Sequence, residues 1–127
     1  MQAYLIVFLG AGCGGCLRHF MNLLAARALG TGFPWGTFLI NISGSLAMGL
    51  IAGFLTFRSG IQGSQHLRLF LLTGVLGGYT TFSAFSLDSA LLYERGDVLG
   101  MGLYVGGSVA LALVGVFSGL ALMRALS

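Results

Sequence analysis

The sequence predicts an all-α integral membrane protein: four transmembrane helices with almost nothing outside the bilayer. Three observations predict it. Of its 127 residues, 57% are hydrophobic and only 7% charged, whereas a soluble domain carries about 25% charged residues because its surface must face water. Charged side chains are missing from four stretches, 1–17, 28–57, 69–87 and 98–123, and about 20 apolar residues carry a helix across a hydrocarbon core about 30 Å thick. No polar segment is left over for a soluble domain, so residues 1–127 read as a single four-helix transmembrane domain.

Helix 1 is expected at about 3–26. It lacks a basic segment before its apolar run, and the apolar pattern continues past any plausible cleavage point, so it reads as a retained helix rather than a signal peptide. Arg18 lies within it, about 12 Å from Ala26 at about 1.5 Å per residue. Three roles are open to it: snorkelling to the surface, pairing with Asp88, or concentrating anions at a vestibule. Cys13, Cys16 and His19 give the spacing C-x-x-C-x-x-H. One helix presents these three in a wound row and no second cysteine pair exists, so packing is expected rather than metal, redox or disulfide chemistry.

A turn at Gly30-Thr31-Gly32-Phe33 leads to helix 2 at about 34–57. Pro34, the only proline, suits a first helical position, where a missing N–H costs nothing. The longest polar connection, 58–65, precedes helix 3 at about 66–94. Gly96 suits a helix stop, and Asp97 then opens helix 4 at about 98–124.

With four spans, both termini lie on one face, called B, opposite face A. All six cations are arginines: Arg27 and Arg95 at face A, Arg58, Arg68 and Arg124 at face B, and Arg18 inside helix 1 nearer face A. Orientation normally follows an excess of Lys and Arg on the cytoplasmic side. Balance here predicts a chain inserted both ways up, able to form an antiparallel homodimer. GxxxG spacings pair Gly10 with Gly14, Gly49 with Gly53, Gly74 with Gly78, Gly102 with Gly106 and Gly115 with Gly119. Such small residues let backbones approach closely in lipid. A net charge of +3 on so few groups forms no basic patch, so no nucleic-acid partner is expected.

The most unusual segment is Gly77-Gly78-Tyr79-Thr80-Thr81-Phe82-Ser83-Ala84-Phe85-Ser86. Paired glycines and paired threonines are poor helix formers in mid-span. One reading is a helix 3 broken within the membrane, its exposed carbonyls satisfied by protein or by a bound cation on the dimer axis. The other is an unbroken helix with small residues for packing. Phe82 and Phe85, three residues apart, share a face. They pack in a core, or they turn their electropositive ring edges toward an anion. Thr37, Asn41 and Ser45 form a stripe on helix 2, and Tyr104 and Ser108 another on helix 4. These groups serve as interhelical glue or as donors facing a cavity, and Asn41 suits the second role. No nucleophile–base pair, phosphate loop or carboxylate dyad is present, so no enzymatic activity is expected.

With these residues set out, the chain resembles the Fluc/CrcB family of small fluoride channels over its whole length. Residues 77–86 closely follow that family's GG-x-(S/T)-T-F-S-(S/T)-F-S signature, and Gly36-Thr37 through Asn41 resembles its G-T-x-x-x-N opening of helix 2. Arg18, Tyr104 and Ser108 fall where the family carries its helix 1 arginine and its helix 4 polar track. The resemblance implies a dual-topology antiparallel homodimer in the bacterial cytoplasmic (inner) membrane, passively exporting fluoride to protect the cell. It implies a structural Na+ at the dimer interface, held by carbonyls of Gly77 and Thr80. It implies a fluoride pathway along Phe82, Phe85, Asn41, Tyr104, Ser108, Thr37, Thr81 and Ser83, with Arg18 at the vestibule. Two positions depart from the pattern: Ala112 where a hydroxyl often stands, and Asp88 where glutamate is common. The alternatives are a proton-coupled exporter of the small multidrug resistance type and a non-transporting membrane subunit. Such an exporter typically uses a carboxylate deep in helix 1, and this helix 1 has none.

Overall fold

Backbone N–H and C=O groups inside a bilayer have no water to bond, so a single-chain apolar segment satisfies them internally by coiling into a helix. The computed structural model describes residues 1–59 and 64–126 and is built accordingly. Helix α1 spans Gln2–Leu29 and α2 spans Trp35–Phe54, continued by a wider π-wound turn at Leu55–Ser59. Helix α3 comprises residues 64–79: α-helical at Ser64–Arg68, π-wound over Leu69–Leu76 and closed by Gly77–Tyr79. Helix α4 spans Ser83–Glu94 and α5 spans Val98–Leu126. Because α3 and α4 share one span, four helical stretches are long and apolar enough to cross a membrane: Gln2–Leu29, Trp35–Phe57, Gln65–Glu94 and Val98–Leu126.

The ends follow local chemistry. Helix α1 runs on past the expected Ala26 to Leu29 and stops at Gly30, whose φ of 82° suits glycine. Pro34 stands one residue outside α2 rather than in its first turn. Its φ of −76° and ψ of 65° are not helical, and its carbonyl accepts from Phe38 N–H at 3.1 Å. After α4, Gly96 (φ 82°) turns back so that its N–H reaches Tyr93 O and the Asp97 N–H reaches Leu92 O, a Schellman closure. Asp97 Oδ1 then accepts from Gly100 N–H at 2.9 Å, capping α5. Of the expected 58–65 connection, residues 60–63 lie outside the described residues.

Side-chain contacts tie each end together. At face A, Arg95 Nη2 donates to the Gly32 carbonyl at 2.6 Å. At face B, the Arg124 guanidinium lies 5.0 Å from the Phe57 ring centre, and Arg68 Nη2 donates to Thr56 Oγ1 at 3.4 Å.

Two glycine seams organise the interior, α1 against α3 and α2 against α5. A Cβ at Gly14 would fall on the Val75 carbonyl oxygen, and one at Gly78 on that of Ala11. Between α2 and α5, a Cβ at Gly49 would fall on the Val116 carbonyl oxygen and one at Gly119 on the backbone of Gly49 and Leu50, while Gly53 and Gly115 sit close to Met123 and Leu46. Gly102 and Gly106, by contrast, face open space. The seams draw the pairs together around Ile40, Leu76 and Tyr79, while Phe8 and Phe117 point outward where lipid would be.

Candidate ion pathway

The site grows from residues 80–82, which lie between α3 and α4. Thr80 is extended (φ −82°, ψ 157°). Its N–H still reaches the Leu76 carbonyl at 3.0 Å, and its hydroxyl donates to the same oxygen at 2.9 Å. The next peptide turns away. Thr81 N–H donates to Asn41 Oδ1 at 2.9 Å, and Asn41 Nδ2 donates to the Thr81 carbonyl at 3.0 Å. One side-chain amide thus pairs with this backbone as a neighbouring strand would. A continuous helix would have aimed the Thr81 N–H at the Gly77 carbonyl, so that acceptor is released.

Further contacts hold the segment. The Gly78 carbonyl accepts from Arg18 Nε at 3.1 Å. Thr81 Oγ1 accepts from Ala84 N–H at 3.2 Å, in the first turn of α4, and lies 3.4 Å from Ser83 Oγ. Gly44 has no side chain to keep the Thr80 methyl and the Tyr79 ring away from α2, and the Tyr79 hydroxyl lies 3.0 Å from Ser43 Oγ.

Beside this segment runs an open cavity of about 540 Å³, lined by Asn41, Ser45, Gly77, Thr80, Thr81, Phe82, Phe85 and Ser108, with Ala112 and other small or apolar neighbours. Ser108 is 4% exposed and its hydroxyl has no partner among the described residues. Buried polar atoms are nearly always bonded, so an orphan hydroxyl calls for an explanation. The aromatic residues form a row: Phe82 to Phe85 at 5.6 Å, Phe85 to Tyr104 at 5.2 Å. Phe82 is 77% exposed at the open side, while Tyr104 is fully buried. Tyr104 donates its hydroxyl proton to Asp88 Oδ2 at 3.1 Å.

Not every residue singled out from the sequence lies along this cavity. Thr37 lines a second one, of about 260 Å³, with Asp88 and Arg95 near face A. The helix 2 stripe is therefore divided, with Asn41 and Ser45 at the larger cavity. Ser83 touches only its rim, through Thr81. Arg18 is not joined to Asp88, because the guanidinium reaches the Gly78 carbonyl while the carboxylate takes Tyr104. Cys13 and Cys16 are free thiols exposed on α1, not packed inside as expected: Gly10 and Gly14 occupy the seam and turn them outward.

Residues 5–120 match the family described as CrcB-like protein, Camphor Resistance (CrcB). The chain belongs to the CrcB family. Among relatives of this CrcB chain is a protein of Rhodopseudomonas palustris (strain BisB5) named fluoride-specific ion channel FluC, 65% identical over 99% of this chain and 100% of its own. Fluoride-specific ion channel FluC 2 of Nitrobacter hamburgensis is 63% identical over 98% of each chain. A third FluC, from Beijerinckia indica, is 58% identical over the full length of both.

Some partners in this CrcB chain escape a reading of the sequence. The Tyr104–Asp88 bond joins α5 to α4. Its only trace in the sequence is that both are polar groups within apolar stretches, which normally face the bundle interior. The partner of Asn41 is a backbone, invisible to any pattern of side chains.

Proposed function

We propose that this chain forms a fluoride-selective channel that passively exports fluoride and so protects the cell. The observation that carries the reading is the cavity beside Thr80: its polar wall is made of neutral donors, among them a buried Ser108 hydroxyl with no partner. A small anion gives up its water shell only to close donors, since burying an unpaired charge costs many kcal/mol. Conduction also requires sites weak enough to release the ion. Hydroxyl groups and the ring edges of Phe82 and Phe85 meet both needs. The names of the FluC relatives agree with this chemistry.

In this reading Asn41, Thr81, Phe82, Phe85 and Ser108 form the pathway, and Thr37 and Tyr104 continue it toward face A. Ser83 stands at the rim, and Arg18 lends positive charge nearer face A. The extended Thr80 is a functional helix break. The carbonyls of Gly77 and Thr80 would hold a sodium ion. They suit it: the N–H that would have paired with Gly77 is taken by Asn41, and unwound carbonyls are sodium ligands in transporters. When bound, the ion supplies a fixed positive centre. The balanced arginines, the exposed Phe82 and the open Gly77 support a two-fold antiparallel homodimer in the bacterial inner membrane, each copy completing the other's open cavity.

The test is ion efflux from liposomes holding the purified protein. Rapid fluoride loss without a proton gradient, with chloride retained, is expected. Movement of organic cations only under a gradient would favour a coupled exporter, and no flux at all would leave a non-transporting subunit.

A further inference from the structure

Resting on the channel reading above, we infer that Arg18 is a positioning residue for the segment between α3 and α4. Its Nε–H, rather than its charge, holds the Gly78 carbonyl and so fixes the direction of the neighbouring carbonyls of Gly77 and Thr80. Extended Thr80 ends regular helical pairing two residues after the Gly77-Gly78 pair, whose backbone is the most permissive of any residue. Inside a bilayer each carbonyl released in this way requires a donor from protein or a bound ion. The Leu76 carbonyl keeps the Thr80 N–H and gains the Thr80 hydroxyl. Thr81 is clamped on both sides by Asn41. Gly78 lies between these two fixed points, and Arg18 Nε, 3.1 Å away, donates to it.

The donor is itself well anchored. Gly14, four residues before Arg18, lies directly against the Val75 carbonyl, and Gly78 lies against Ala11. The backbone that carries Arg18 is therefore registered to the peptide it supports. This bond uses a single donor of the five on a guanidinium, so it is separable from the charge by substitution. Glutamine carries its amide nitrogen on Cδ, the same bond position as arginine Nε, without charge. Lysine keeps the charge but puts nitrogen one bond further out. Methionine matches the stem and donates nothing.

The full-length protein and its Arg18→Gln, Arg18→Lys and Arg18→Met variants are compared in two ways. Deuterium exchange at the amides of residues 79–84 is read in detergent, where conduction is irrelevant, and fluoride efflux is read in liposomes. Arg18→Met is expected to speed exchange and slow efflux by roughly tenfold or more, the scale of one charge-assisted hydrogen bond. Arg18→Lys is expected to follow it in exchange, while Arg18→Gln keeps exchange within about threefold of the parent. Parental behaviour of Arg18→Lys with a glutamine variant as impaired as methionine would overturn the proposal, because charge alone would then matter. Unchanged exchange in all variants would overturn it as well. Where Arg18→Met does not elute as the parent does, the glutamine–lysine comparison decides. A parent that conducts no fluoride yet shows the expected exchange pattern would refute the channel reading and uphold the positioning role.

Discussion

Replacing Asn41 by aspartate changes one atom type and tests the pathway at its most constrained point. The native amide offers Thr81 an acceptor at 2.9 Å and a donor at 3.0 Å. An ionised carboxylate has no donor, so it would keep the Thr81 N–H and face the Thr81 carbonyl oxygen with another oxygen. A buried carbonyl left without its donor costs about 1–3 kcal/mol. The larger effect is on the ion. A negative charge in the cavity wall opposes an anion about 4 Å away by about 4 kcal/mol at an effective dielectric constant of about 20. At about 1.4 kcal/mol per factor of ten, occupancy falls roughly a thousandfold. Fluoride efflux from liposomes, followed with a fluoride-selective electrode, is expected to slow by at least about a hundredfold while the protein elutes as the parent does. Asn41→Ala separates the two effects: it removes both hydrogen bonds and adds no charge, so it should lower the melting temperature more and efflux less. Asn41→Asp protein that conducts within about threefold of the parent would refute the assignment of this cavity to the anion.

Other outcomes follow from the same geometry. Phe82→Ile replaces an exposed ring at the cavity mouth with an aliphatic group lacking an electropositive edge; efflux should slow sharply with assembly unchanged on size exclusion. Ser108→Ala removes a buried hydroxyl without a partner, so thermal stability should hold or rise by about 1 kcal/mol while efflux falls; a parallel loss of both would mark Ser108 as structural. Gly14→Ala places a methyl group on the Val75 carbonyl and should abolish monodisperse protein. Gly102→Ala, facing open space, should leave the chain folded and stabilise its helix by up to about 1 kcal/mol, both read by thermal unfolding in detergent.

The four spans were legible because charge is costly in hydrocarbon, and arginines and acids punctuate the chain wherever it emerges. Gly96 was legible for a similar reason, since a left-handed helix stop has few other occupants. Pro34 was misread by one position because its ring is as acceptable at the flanking residue as in the first turn. The π winding of Leu69–Leu76 left no trace in composition: its apolar residues suit either coil, and packing of Gly74 against Gly10 on α1 is a tertiary fact. Within the site, the residue types gave the stripes of Asn41 and Ser108 but not their contacts. Arg18 illustrates the limit. A cation in a span suggests a carboxylate partner, yet the oxygen it meets belongs to a peptide group, which every residue carries and no sequence pattern distinguishes.

The glycine seam between α1 and α3 also bears on mechanical behaviour. Carriers that alternate between two openings slide packed helices past one another over a compliant layer of side chains. Here main chain rests on main chain at Gly10 against Gly74 and Gly14 against Val75, which leaves little room to absorb a shift at those points. The pair acts as a stiff strut with Thr80 at its end. Such a frame suits a passage that stays open and lets ions hop, and it resists the rocking motion that a pump requires.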